Sequence, residues 1–307
     1  MVLRYSLLGF LAMWLLVDRD FLLVAPAVRR VQEAAAADLE ARYVDRGRAP
    51  GLGAWLRRRR PEWVTVGPWL AARLGEELRA QSGDRPFGFR YGWTAAALSP
   101  VDNATAPPPT ARELAEDAAD GYGIGPVIVE EGRATVAVRR FGWEEASGAA
   151  VSGVFRQAAG ARELVVDLRE CRGGVAGTAL LWASYLFPLQ VHWATLRYRG
   201  FTEEYWTLPR VEGPRFGGPV TVWVGPETMA ACEGFAYHLQ ARRRAVVRGE
   251  RTAGAAHYAA RRQVTEHFAM ELPEARVEDP VTGGNWQGGG VRPDGSGPGG
   301  GPDRRRP

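Results

Sequence analysis

Residues 164–174 read Leu-Val-Val-Asp-Leu-Arg-Glu-Cys-Arg-Gly-Gly. The first five are apolar but for one acid, the pattern of a strand buried on both faces of a parallel sheet. The run ends at Gly173-Gly174, where the absence of Cβ atoms lets backbone N–H groups approach a substrate, as an oxyanion hole requires. Residues 178–186 read as a helix after that turn. A second unit follows the same grammar: a buried strand at 220–224 (Val-Thr-Val-Trp-Val), a small-residue helix at 231–240, and a strand at 245–247. Ahead of the Gly-Gly turn, short β-rich pieces at 127–129 and 134–138 flank Glu131-Gly132, a hairpin signal, and 148–157 is helical. Alternation of this kind predicts an α/β domain over residues 121–294.

Upstream, residues 21–120 read as a helical domain. Val24, Val28, Val31, Ala35 and Leu39 recur at helical spacing within 21–43, as do Leu70, Leu74 and Leu78 within 69–80. Ser82-Gly83-Asp84 stops the second of these helices, and three prolines at 107–109 make residues 100–109 a linker.

The ends differ from the middle. Residues 6–17 (SLLGFLAMWLLV) form an apolar run of the length of a secretory signal and too short to span a bilayer, so residues 1–20 are expected to be a signal peptide. Asn103-Ala104-Thr105 is a glycosylation sequon, which makes Asn103 a candidate modification site in a secreted chain. Residues 295–307 are Gly, Pro and Arg with almost nothing to bury, and are expected to be a disordered tail.

Charge excludes one class of function. All 39 basic residues are arginine, against 35 acids, and seven of them lie in the runs 57–60 and 304–306. Set those aside and acids outnumber bases, so the basic balance comes from two clusters and nucleic-acid binding is not expected. Two cysteines are too few for a zinc site, and His192, His238 and His267 show no metal spacing. Neither metal nor cofactor is expected. Whether Cys171 and Cys232 pair is left open by the sequence.

Taken in chain order, seven pieces resemble the C-terminal processing peptidase (S41) family and its interphotoreceptor retinoid-binding relatives. They are Ser82-Gly83-Asp84; Asp167-Leu168-Arg169 leading to Gly173-Gly174; Ser184-Tyr185-Leu186-Phe187; Trp206-Thr207-Leu208-Pro209 with Gly213 and Arg215; residues 245–254; residues 280–286; and Gly290 through Asp294. The resemblance implies an α/β (α+β) fold, with a helical N-terminal domain followed by a ββα-repeat domain of the crotonase and Clp-protease kind. In the family's peptidases a serine within Thr-x-Ser-Ala-x-Glu is the nucleophile. Here those positions are Thr228-Met229-Ala230-Ala231-Cys232-Glu233, and Ala230 offers a methyl group that cannot attack a carbonyl. Family members with a histidine after Ser-Gly-Asp would carry it near Pro86, and none is there.

These departures lead to the expectation of a non-enzyme, a secreted monomeric carrier of the interphotoreceptor-matrix kind. It would hold retinol, retinal or a fatty acid near Gly173, Gly174, Ala230, Ala231 and His257, without stable membrane insertion. The alternative is a divergent serine or cysteine hydrolase of the same family, with Cys232 as one candidate nucleophile. Asp167, Arg169, Glu233 and Glu250 are expected to stabilise turns rather than to react.

Overall fold

Pro26, Pro50 and Pro68 each sit in the first turn of a helix, where a missing N–H leaves no bond unmade. The helices are α1 (Ala25–Arg42), α2 (Ala49–Arg58) and α3 (Gly67–Ser82). Their apolar stripes, among them Val28, Val31, Ala35 and Leu39 of α1 and Leu70, Leu74 and Leu78 of α3, are buried together. Gly83 ends α3 in the left-handed region (φ 67°), its N–H returning to the Arg79 carbonyl at 2.8 Å, and so delivers Asp84 to a fixed place.

The computed structural model describes residues 21–92 and 109–296. The chain divides into two units. The first holds the residues up to 107 together with 198–200 and 257–276; the second holds 108–197, 201–256 and the residues from 277 on. Asn103 and the two chain ends lie outside the described residues, as does most of the expected linker.

In the first unit a short ribbon of β1 (Leu22–Val24) and β2 (Val64–Val66) pairs antiparallel, Val24 opposite Val64. Strand β3 (Gly88–Tyr91) pairs antiparallel with the start of β12 (Phe268–Glu278), Phe89 opposite Met270, and β11 (His257–Thr265) lies on the other side of β12. Phe268, Met270 and Leu272 of β12 complete the helical core. Arg199 donates to the Glu40, Ala41 and Tyr43 carbonyls, covering orphan acceptors at the end of α1.

The second unit begins with α4 (Ala111–Ala119), started by a reciprocal capping box between Thr110 and Glu113. Strands β4 (Ile124–Glu130) and β5 (Arg133–Val138) form the hairpin expected at Glu131-Gly132, both turn residues having positive φ. The sheet order is β10-β9-β6-β5-β4, with β6 (Glu163–Asp167), β9 (Val220–Val224) and β10 (Val246–Gly249) parallel to β5. Helices α5 (Glu144–Ala158), α6 (Ala176–Ser184) and α7 (Ala231–Ala241) supply Val151, Phe155, Trp182, Phe235 and Leu239 to the core, against Val136, Leu164, Val166 and Val222. Strands β7 (His192–Arg197) and β8 (Thr202–Trp206) pair antiparallel in the sheet that also holds β11 and β12. Because β6 and β9 are neighbours in register, Val166 opposite Val222, the turns at their C-terminal ends emerge side by side. Those turns are 168–174 and 225–230, where ligands of open α/β sheets bind.

Candidate active site

The two turns are braced before anything else is added. Thr228 Oγ1 donates to the Leu168 carbonyl at 2.7 Å and accepts from the Gly225 N–H at 2.9 Å, which ties the end of β9 to the end of β6. Met229 N–H donates to the Cys171 carbonyl at 3.0 Å. A disulfide joins Cys171 to Cys232, with both residues fully buried. The pairing that the sequence leaves open is therefore made, and Cys232 offers no thiol nucleophile in this state.

Three residues of the turns have conformations that side chains resist. Gly174 has φ 113°, and a Cβ there would stand 2.1 Å from the Phe141 carbonyl oxygen. Gly173 has φ 98°, and a Cβ there would sit 3.3 Å from the Ala230 methyl, so the Gly-Gly turn and residue 230 face each other. Ala230 itself has φ 50° and ψ −119°, ahead of the first residue of α7. A non-glycine residue held in such a region costs on the order of 1–3 kcal/mol and persists only where its surroundings enforce it.

Glu233 does the enforcing. Its carboxylate is fully buried and accepts from the Ala230 N–H at 2.9 Å, from Thr252 Oγ1 at 2.5 Å, and from the Gly254 and Ala255 N–H groups at 2.6 and 2.8 Å. One side chain thus fixes both the entry to α7 and the 252–255 loop. The Gly174 N–H has no acceptor among the described residues, and the Ala231 N–H opens α7, where a helix has no internal acceptor to offer. A pair of such donors suits an oxyanion. Beside them lies a cleft of ≈620 Å³ lined by Arg139, Arg140, Glu170, Arg172, Gly174 and Glu227. Its rim is charged, with Arg172 bonded to Glu227 at 2.6 Å.

Of the residues singled out in the sequence, Gly173, Gly174, Ala230 and Ala231 come together here in the second unit. His257 belongs to the first unit, at the start of β11. Its Nδ1 lies 2.7 Å from Asp84 Oδ2, which also receives the Tyr43 hydroxyl at 3.1 Å. The Asp84 N–H donates to Ser82 Oγ at 3.0 Å. Burial, with Asp84 beside it, pushes the Tyr43 hydroxyl well above its usual range, so Tyr43 stays a donor. An imidazole held at Nδ1 by a carboxylate is the base-and-orienter arrangement of acyl hydrolases. Asp84 was visible in the sequence as a helix stop and as part of the first family-like piece; nothing local marks it as a partner of a residue 173 positions away.

Asp167, Arg169 and His238 have structural partners. Asp167 is bidentate to Arg169, which lies over the Trp223 ring. His238 Nδ1 meets Asp279 at 2.7 Å and Arg242 bonds the same oxygen at 2.6 Å. Among the described residues no cluster of His, Cys, Asp and Glu is arranged to hold a metal ion.

The chain belongs to Peptidase family S41, which matches residues 134–296, just over half of its length. Among solved structures it is similar to a peptidase from Parabacteroides merdae, at 15% identity and TM-score 0.61 over 88% of this chain and 89% of that one. It is similar to a lipoprotein from Streptococcus agalactiae at 13% identity and TM-score 0.61, over 90% of this chain and 93% of that one. The photosystem II D1 C-terminal processing protease matches at 19% identity and TM-score 0.45, over 57% of this chain. The matched part spans just under half of that protease's length, 46%.

These findings correct the expectation of a non-enzyme. The chain's family is one of peptidases, and the residue-230 position keeps the strained backbone, the facing Gly-Gly turn and the buried carboxylate around it. The expectation of retinoid binding and lipid transport is corrected by the same family assignment.

Proposed function

We propose that the chain is an acyl hydrolase of the peptidase S41 type, acting at the turn of residue 230 on a peptide or ester carbonyl. The observation that carries the reading is the backbone of Ala230: φ 50° and ψ −119°, held by Glu233 although the side chain is only a methyl. Strain of this kind collects at functional sites.

With no side-chain oxygen at 230 and Cys232 in a disulfide, the attacking group is water. Its oxygen adds to the acyl carbon, and the carbonyl oxygen takes the electron pair as an oxyanion, which accepts hydrogen bonds from the Gly174 and Ala231 N–H groups. Collapse of the adduct expels the amine or alkoxide, which leaves with the proton released by the water. A hydrolase stripped of its nucleophile retains an enhancement of roughly 10³–10⁴ over uncatalysed hydrolysis from oxyanion stabilisation and binding alone. The parent protein is accordingly a slow hydrolase, measurable on activated esters. We also propose an oxidising, extracytoplasmic location, supported by the Cys171–Cys232 disulfide.

The test is release of p-nitrophenol from a peptidyl p-nitrophenyl ester. Saturable release that scales with folded protein and vanishes after unfolding is expected. Release no faster than in buffer would end the hydrolase reading.

A further inference from the structure

Monomeric proteins rarely leave two tryptophans almost fully in water on neighbouring elements. Here Trp63 is 89% exposed and Trp69 is 76% exposed, on either side of the three residues of β2. Val24 and Val64, opposite each other in the β1–β2 register, are 51% and 60% exposed. Pro26 and Pro68, also exposed, extend the apolar surface at the starts of α1 and α3. Around it stand the exposed Arg30, Arg58 and Arg60, none with a carboxylate partner among the described residues. The one acid in the same stretch, Glu62, is taken by Arg59 and Arg73.

We propose that this surface docks on a lipid bilayer with anionic headgroups. Tryptophan rings are amphipathic and settle at the headgroup level, while flanking arginines meet lipid phosphates. The sequence supplies an independent argument. Residues 7–17 carry no polar or charged side chain, and the chain that carries them enters the described structure at Phe21–Leu22, on the strand that presents Val24. An apolar stretch of sequence and an aromatic, arginine-flanked patch are the two kinds of signal that peripheral anchoring takes. The proposed mode is adsorption at the surface; no helix among the described residues is long and apolar enough to cross a membrane. The inference does not depend on the hydrolase reading.

Co-sedimentation of the full chain with vesicles of phosphatidylcholine mixed with phosphatidylglycerol tests it. All four side chains to be changed are exposed, and circular dichroism checks that each variant folds. Trp63→Ser with Trp69→Ser should weaken partitioning by about tenfold or more. Arg58→Glu with Arg60→Glu should weaken it by a similar factor, and so should vesicles of phosphatidylcholine alone. Partitioning of the tryptophan variant equal to the parent's would overturn the proposal, because residues 6–17 would then account for all of the binding. Self-association of the lipid-free parent that the tryptophan variant abolishes would also overturn it, by assigning the patch to a second copy of the chain.

Discussion

At residue 230 a methyl group occupies a conformation that glycine adopts freely and alanine does not. Replacing Ala230 with Gly should therefore break the usual rule that such a change in a folded protein destabilises. Relief of the positive φ offsets the extra chain entropy, and urea unfolding should give a stability equal to the parent's or up to about 1 kcal/mol higher. A loss above about 1 kcal/mol would mean that the backbone there is not strained. The sequence made some of this visible. Gly173-Gly174 is legible as a turn after a buried strand, whereas Ala230 and Glu233 stand out only through the resemblance to the family's Thr-x-Ser-Ala-x-Glu stretch. The hydrogen bonds that give Glu233 its importance are not legible, since Thr252, Gly254 and Ala255 reach it only once the 252–255 loop has folded back.

Among the elements, helix α7 is held to the Gly-Gly turn by the Cys171–Cys232 disulfide, which closes a loop of 61 residues. Constraint of a loop that long in the unfolded chain contributes about 2–4 kcal/mol. Unfolding in urea with and without a reductant should differ by that amount, and Cys171→Ala with Cys232→Ala should match the reduced protein. Equal stability of oxidised and reduced protein would contradict the assigned pairing. Further along α7, burial pushes the His238 imidazole below its usual range, against the opposing pull of Asp279. Burial alone would raise the Asp279 carboxyl, but bonds from His238, Arg242 and the Thr282 N–H outweigh it and hold the group well below the usual carboxylate range. Both shifts act in one direction. The unfolded chain binds protons that the folded chain refuses, first below about pH 6.5 at His238 and again below about pH 4 at Asp279. The melting temperature should be level above neutrality and fall from about pH 6.5 to 5, and His238→Gln should flatten that part of the curve. A parent curve that stays level from pH 7 to 5 would contradict the burial of a neutral His238. Strands β11 and β12 mark the limit of reading elements from sequence. Pro273 lies inside β12 beside a register shift at Tyr258/Ala259, and β12 is buried along most of its length without alternation. A period-2 search misses such a strand. Strand β3 is four residues long, and its partner in β12 lies some 180 residues on, beyond any local signal.

Over the whole molecule, α/β alternation from residue 124 onward is legible because strand and helix periods repeat within a few tens of residues. The sharing of residues 198–200 and 257–276 with the first unit is not, because it rests on pairings between distant strands and on Arg199 reaching the end of α1. Residue type at a single position misled the functional reading more than any missing element. Ala230 on its own suggests lost chemistry, whereas the family match over 134–296 places the chain among the S41 peptidases, and the geometry around residue 230 supports the hydrolase proposal. That account makes the turn at 230 a reaction centre lacking one oxygen atom. The most direct measurement is cleavage of an unstructured polypeptide by the parent and by Ala230→Ser, under identical conditions and followed by mass spectrometry. The account predicts faster cleavage by Ala230→Ser, by at least about a hundredfold in kcat with KM little changed, since the added hydroxyl acts on the transition state and not on binding. A folded Ala230→Ser protein that cleaves no faster than the parent would contradict it.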